Sequence, residues 1–300
     1  MSNTIAQCTS LKNLAQMVEL HLHQMIPGAT SPQVRHKKLF EAARYSLLAG
    51  GKRIRPLLCL AAIEILGGDL KSGLTPACTL ELIHTASLIH DDLPCMDNDD
   101  FRRGKPTLHK VVPEGMALLA GDYLLAEAFG FLAKAPNLTA EQRIRLVEIL
   151  SFGAGGEGMS AGQGIDIDEE NKPASIEELN DLHERKTGAM IVASLLFGGV
   201  IGHATEEEME ALEVFGNEIG LAFQIIDDVL DVTSTAEELG KPIGSDIRQE
   251  KITYVNFLGI EGAKEAAGRS IARSLEALER LPNQGGQLRE IANLVISRRN

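Results

Sequence analysis

Three hundred residues with a formal net charge of −13, from 42 acidic against 29 basic side chains, exclude nucleic-acid binding as a main activity, because phosphate neutralisation needs a basic face. A hydrophobic fraction of 44%, with only 4% aromatics and no tryptophan, excludes a disordered chain and suits helices packed through Leu, Ile, Ala and Val. Cys8, Cys59, Cys78 and Cys95 form no CxxC pair, the N-terminus lacks a basic region ahead of an apolar core, and no uninterrupted apolar run reaches the ~20 residues of a bilayer span, so the expectation is a cytoplasmic protein without disulfides or a transmembrane segment.

Along the chain the pattern is helical nearly throughout. His21-x-His23 falls on an N-terminal helix and reads as surface. Ser31-Pro32 predicts an N-cap followed by proline at the first helical position. AGGKRIRP then supplies Lys52, Arg53 and Arg55 beside a glycine turn, without the earlier glycine or the following Ser/Thr of a phosphate-binding P-loop. Beyond the breaker Gly67-Gly68, ELIHTASLIHDD predicts a helix carrying Glu81, His84, Asp91 and Asp92, with His84 two turns before Asp91 on the same face. Pro94 disrupts that helix, so Asp97 rejoins the pair only if the backbone bulges. Asp99 and Asp100 are expected to be solvated or bonded to their own loop. FRRGKPT adds Arg102 and Arg103.

The second half follows the same rule. Ser/Thr-x-x-Glu/Gln capping boxes at Thr139/Gln142, Ser175/Glu178 and Thr205/Glu208 open apolar-periodic runs. GAGGEG at 153–158 matches GxGxxG but follows a helix rather than a strand, which argues against a dinucleotide fold. Lys186-Thr187 precedes AMIVASLLF. The stretch from Leu212 to Val232 is apolar on nearly every face, as expected of a helix at the centre of a bundle. It carries Gln224, Asp227, Asp228 and Asp231, with Asp227 and Asp231 one turn apart, and Lys241 and Lys251 follow it. The expectation is one all-α domain over residues 1–300, about ten to twelve helices around a deep central cavity.

A DDxxD match alone usually marks a solvated acidic turn. Here both aspartate clusters ride on apolar helices, where an unpartnered carboxylate costs several kcal/mol, so about six carboxylates demand counter-charge. Oxygen-only ligands favour magnesium over zinc, and cations shared between two carboxylate walls can hold a diphosphate. The basic residues beside the turns supply what diphosphate capture needs, arginine as a planar fork and lysine as a point charge. A metal phosphohydrolase would also use His-Asp pairs on helices, but leaves the second aspartate cluster and the basic sets without work.

GGKRIRP, HDDLPCMDNDDFRRGKPT, GQGID, KTG, FQIIDDVLD and GKPIGSDIRQEK occur in one order, and in that order the chain resembles the short-chain trans-isoprenyl diphosphate synthases, the farnesyl and geranylgeranyl diphosphate synthases, from AGGKRIRP to the end. The resemblance implies that Asp91, Asp92 and Asp97 on one wall and Asp227 on the other bind about three magnesium ions, with Asp228 and Asp231 supporting the second wall. The ions would grip an allylic diphosphate, helped by Arg102, Lys186, Lys241 and Lys251. Lys52, Arg55, His84 and Arg103 are similar to the metal-free site for isopentenyl diphosphate, and Thr187 and Gln224 to residues facing the allylic cation. The family usually works as a homodimer. Asn98 stands where many bacterial members have aspartate, which weakens only that position as a ligand. Ala86 and Ser87, one turn before Asp91, are expected to point down the product tunnel, and the small Ala86 favours a twenty-carbon product over fifteen. A class I terpene cyclase would have no need of Lys52, Arg55 and Arg103, and a non-catalytic partner subunit typically lacks one aspartate cluster.

Overall fold

The computed structural model describes residues 9–26, 36–168, 174–233 and 252–296, and most of these are helical. The helices are α1 (Leu11–Met25), α2 (Lys37–Leu47), α3 (Ile54–Ile65), α4 (Leu70–Asp91), the single turn α5 (Leu108–Val111), α6 (Glu114–Ala133), α7 (Ala140–Ala154) and α8 (Met159–Ile167). After them come α9 (Ile176–His183), a π-helical turn (Glu184–Gly188), α10 (Ala189–Gly202), α11 (Glu206–Thr233), α12 (Tyr254–Ala277) and α13 (Gly286–Ile296). The bundle is all-α, as the sequence leads one to expect.

Local chemistry sets many of the boundaries. Thr139 and Gln142 form the reciprocal capping box of α7, and Thr205 and Glu208 cap each other's backbone and side-chain groups ahead of α11. Ser175 accepts from Glu178 N, but the Glu178 carboxylate reaches back one residue further, to Ala174 N. A fourth box joins Thr253 to Asn256 at the start of α12 and escapes the Glu/Gln pattern because its partner is an amide-bearing Asn. Ser31-Pro32 lies outside the described residues.

The centre of the bundle is made by α3, α4, α10 and α11. Helix α11 buries Leu212, Phe215, Ile219, Ile225 and Ile226 against α10, α12 and α13, and so takes the central place its composition predicts. Its aspartates consequently open inward.

Two further features were not legible as such. Phe101–Arg102 pairs with Lys105–Pro106 as a two-residue antiparallel hairpin. Arg103 and Gly104 at its tip both have positive φ, 54° and 73°, as a tight two-residue hairpin turn requires. Two helical stretches, α6 and the continuous run Ile176–Gly202, are long and apolar enough by length and composition to cross a membrane, but both are interrupted by charged residues, so neither is an uninterrupted apolar run. The second is mostly buried in the core. In α6 only a third of the apolar window is buried, yet it carries Asp122 on its open side, paired at 3.6 Å with His90.

Candidate active site

The first wall is built where α4 runs out. Pro94 ends the helix, and the chain folds back in a tight turn: Met96 N and Asn98 N donate to Leu93 O, and Asp97 N donates to Asp91 O at 2.9 Å. Asn98 takes φ 53°, a left-handed conformation that Asn tolerates. The bulge that Asp97 needs is therefore present. Burial pushes the Asp91 carboxyl up to about 6 against the pull of Lys186, and Asp97 and Asp92 push the same way. Asp92 is buried, and Arg102 clamps one of its oxygens with Nε at 2.7 Å and Nη2 at 2.6 Å. Arg102 also reaches Asp99 at 3.4 Å. Asp99 O accepts from the Thr107 hydroxyl and Asp100 pairs with Lys110, so both serve the loop.

On the second wall, Asp227 opens into the central cavity with Gln224. Asp228 is engaged at both oxygens: Gln224 Nε2 donates to Oδ1 at 3.1 Å and Tyr254 N to Oδ2 at 2.9 Å. Asp231 is buried beside it. The four-residue spacing of Asp227 and Asp231 thus hides a difference in depth. Gln224 both lines the cavity and holds Asp228.

The π-helical turn packs on α8, α9, α10 and α11, and its Lys186 acts on Asp91 of the first wall. Such turns insert one residue into the helical ladder and recur at functional sites. This one carries Lys186, whose Nζ donates to Asp166 Oδ2 at 2.6 Å, and Thr187, which lines the cavity. Asp166 belongs to the GQGID motif and has no role in the sequence reading; the structure gives it one, as the partner of Lys186. Lys241 and Lys251 lie outside the described residues.

The cavity itself measures about 670 Å³. Its lining combines a basic set, Lys52, Arg53, Arg55 and Arg103 with His84 and Glu81, and an apolar set that includes Ile191, Ile219, Phe223 and Ile291. Arg55 Nε is buried and meets no hydrogen-bond partner among the described residues. His84 is kept neutral, its pKa driven well down by burial and then by Arg55 and Arg103. Arg103 donates to Gly50 O, and a Cβ on Gly51 would stand 2.8 Å from its guanidinium carbon.

Ala86 and Ser87 part company. At about 100° per residue, Ser87 shares the face of Asp91, whereas Ala86 lies roughly 140° away. Ala86 is 1% exposed and shares a face with His90, whose ring lies where a Cβ on Gly121 of α6 would go. The structure therefore turns Ala86 toward α6 and leaves Ser87 on the aspartate side.

Among the described residues, no three of His, Cys, Asp and Glu converge as a ready metal cage. Magnesium keeps several waters and takes one or two carboxylates together with substrate oxygens, so it would not require such a cage. Asp91, half-buried beside Asp92 and Asp97, is the type of hard, charge-strained donor a divalent cation relieves.

Residues 36–295 match the polyprenyl synthetase family model. A geranylgeranyl diphosphate synthase of Cyanophora paradoxa is 42% identical over 294 residues, spanning 97% of this chain and 96% of the relative. Among solved structures, the geranylgeranyl pyrophosphate synthetase of Pyrococcus horikoshii superposes with a TM-score of 0.86 at 35% identity, covering 95% of this chain and 96% of that one. An enzyme of Zymomonas mobilis described as an FPP/GFPP synthase gives 0.84 at 33% identity, covering 95% and 97%.

Proposed function

This chain belongs to the polyprenyl synthetase family and is a trans-prenyltransferase, and on that premise we propose a magnesium-dependent head-to-tail condensation of isopentenyl diphosphate with an allylic diphosphate. The allylic partner is dimethylallyl, geranyl or farnesyl diphosphate, and geranylgeranyl diphosphate is favoured over farnesyl diphosphate as product. The observation that carries this reading is the mixed lining of one cavity, which joins Arg55, Lys52 and Arg103 to Thr187, Gln224, Asp227 and apolar side chains. A diphosphate supplies the acceptor that the buried Arg55 Nε lacks.

Asp91, Asp92, Asp97 and Asp227 would hold the magnesium, with Asp228 and Asp231 behind them. When bound, the metal neutralises the diphosphate that leaves the allylic carbon. Lys186, fixed by Asp166, adds a preorganised positive charge on the same side. The Thr187 and Gln224 oxygens face the cation that forms, and the apolar lining keeps water from it. The basic set fixes isopentenyl diphosphate so that its double bond attacks that cation, making the step effectively unimolecular. A proton must then leave. His84, held neutral with depressed basicity among arginines, is a poor acceptor, which supports loss of the proton to the departing diphosphate.

Incubation of the protein with isopentenyl diphosphate, geranyl diphosphate and magnesium, followed by chain-length analysis, tests the reaction. Elongated prenyl diphosphate is expected. Diphosphate release with cyclic or unelongated product would sink the synthase in favour of a terpene cyclase.

Product length is tested at Ala86 and Ser87, five and four residues before Asp91. Ser87→Phe should shift the product from twenty toward fifteen carbons with little change in stability. Ala86→Phe should shift it as well, but at a stability loss of about 1–3 kcal/mol, because the ring must displace α6. Unchanged product from both variants would remove this stretch of α4 as the tunnel floor.

We also propose a homodimer, in the cytosol. Along α6, Leu118, Leu119 and Leu125 form an exposed stripe, and Ile144 and Phe152 stand open on the adjoining α7. Asp122 in that stripe argues against insertion into lipid, where a carboxylate is costly, and a second copy offers both apolar cover and polar partners. Leu119→Lys should convert a dimer to monomer in sedimentation; a wild-type monomer at micromolar concentration would refute the dimer.

A further inference from the structure

The basic run AGGKRIRP lines one cavity with Lys52, Arg53 and Arg55 but does not use all its cations alike. Gly50, Gly51 and Arg53 have φ of 88°, 136° and 50°, so the chain turns sharply three times within four residues. For Arg53, a residue with a Cβ, the left-handed conformation is unfavourable unless the surroundings hold it. They do. The Arg53 side chain is 1% exposed, and its guanidinium spends its donors inside the protein. Nε donates to Glu19 Oε1 of α1 at 2.6 Å, Nη1 to Glu81 Oε1 of α4 at 2.7 Å, and Nη2 to Leu47 O at the end of α2 at 2.8 Å. One side chain thus ties the glycine turn to three helices. From the other side, Arg103 donates to the Gly50 carbonyl. Lys52 and Arg55 line the cavity beside it, and Arg55 Nε meets no protein acceptor among the described residues.

We propose that Arg53, through Glu19 and Glu81, is a positioning residue for the metal-free diphosphate subsite: it locks the turn that aims Lys52 and Arg55 into the cavity, and touches no substrate itself. Glu81 has a second part in the device. It is a buried carboxylate one turn before His84, and against the burial that disfavours charge on Arg55 and Arg103 it supports the charge on both. Four cations can therefore stand together before an anion arrives. Lysine at position 53 would keep the charge but could not reproduce a planar fork addressed to two carboxylates and a carbonyl. This inference rests on the reading that Lys52, Arg55, His84 and Arg103 bind isopentenyl diphosphate.

The test separates a substrate-specific role from a merely structural one. Arg53→Lys should raise KM for isopentenyl diphosphate about ten- to hundredfold, as misplacement of binding groups does, while KM for geranyl diphosphate and kcat at saturation stay within about twofold. In chelator, calorimetry should show inorganic pyrophosphate binding to Arg53→Lys more weakly by the same factor. Glu19→Ala removes the outer, half-exposed support and leaves the inner pair intact, so it should fold and raise the same KM by about threefold. The double variant should do no more than Arg53→Lys alone, since both act through one contact. Equal rises in both KM values, or a lowered melting temperature with unchanged KM for isopentenyl diphosphate, would overturn the inference. A wild-type protein that makes no prenyl diphosphate, or binds no pyrophosphate without metal, would instead overturn the reading beneath it.

Discussion

Asp91→Asn is expected to lower kcat by at least about 10²–10³-fold and yet make the metal-free protein harder to unfold. The two effects share one cause. Burial, with Asp92 and Asp97 close by, lifts the Asp91 carboxyl from its ordinary 3.8 to about 6, even though Lys186 and Arg102 pull it down. Between those values the folded chain holds a proton that the unfolded chain has released, so stability falls as pH rises through that window. Each tenfold in proton affinity is worth ~1.4 kcal/mol, so at pH 7 the bare carboxylate opposes folding by an order-of-magnitude ~1–3 kcal/mol. Asparagine keeps the shape and removes the charge. Melting in chelator at pH 7 should therefore rise by a few degrees in the variant. Magnesium with pyrophosphate should raise the wild type and leave the variant nearly unmoved, because a ligand stabilises only the state that binds it. A variant that melts lower than wild type in chelator, or keeps its kcat, would show that Asp91 is an ordinary structural carboxylate.

The same contrast between local pattern and tertiary pairing explains what the sequence could and could not disclose. Asp91, Asp92, Asp227 and Gln224 announce themselves because residue type and helical spacing are local properties, and an acid in an apolar helix is conspicuous. The helices themselves were legible for the same reason, down to the capping box at Thr139. Arg53 was not separable from Lys52 and Arg55, because the carboxylates that take up its donors lie 28 and 34 residues distant. Asp166 was a lone acid in a glycine-rich motif until α8 docked against the π-helical turn, 20 residues on, and met Lys186. Arg102 could be read as a diphosphate ligand, yet its nearest obligation is Asp92. Ala86 and Ser87 are adjacent in sequence and serve different neighbours, a distinction that only the packing of α4 on α6 reveals.

That docking of α8 is the basis of the second large effect. Gly162→Ala should reduce kcat/KM by about 10²-fold while Gly164→Ala, two residues along the same helix, leaves it untouched. A Cβ on Gly162 would stand 2.6 Å from Lys186 Cα and 2.7 Å from its Cβ, and closer still to its amide nitrogen. These are atoms of the π-helical turn itself and cannot swing aside as a long side chain would. Helix α8 or the turn must shift, and the shift acts on Lys186, whose ammonium lies 2.6 Å from Asp166 and draws down the proton affinity of Asp91. Overpacking of this kind costs about 1–3 kcal/mol of stability as well. At Gly164 nothing lies within 4 Å of an added Cβ, so alanine there should stabilise the helix by about 0.5–1 kcal/mol through its lower unfolded-state entropy. Steady-state kinetics and thermal melts of the two variants side by side make the comparison. If both alanines behave alike, the glycines of GQGID serve helix α8 in general. If only Gly162→Ala fails, the motif serves to let one backbone approach another closely enough to set Lys186 against Asp166.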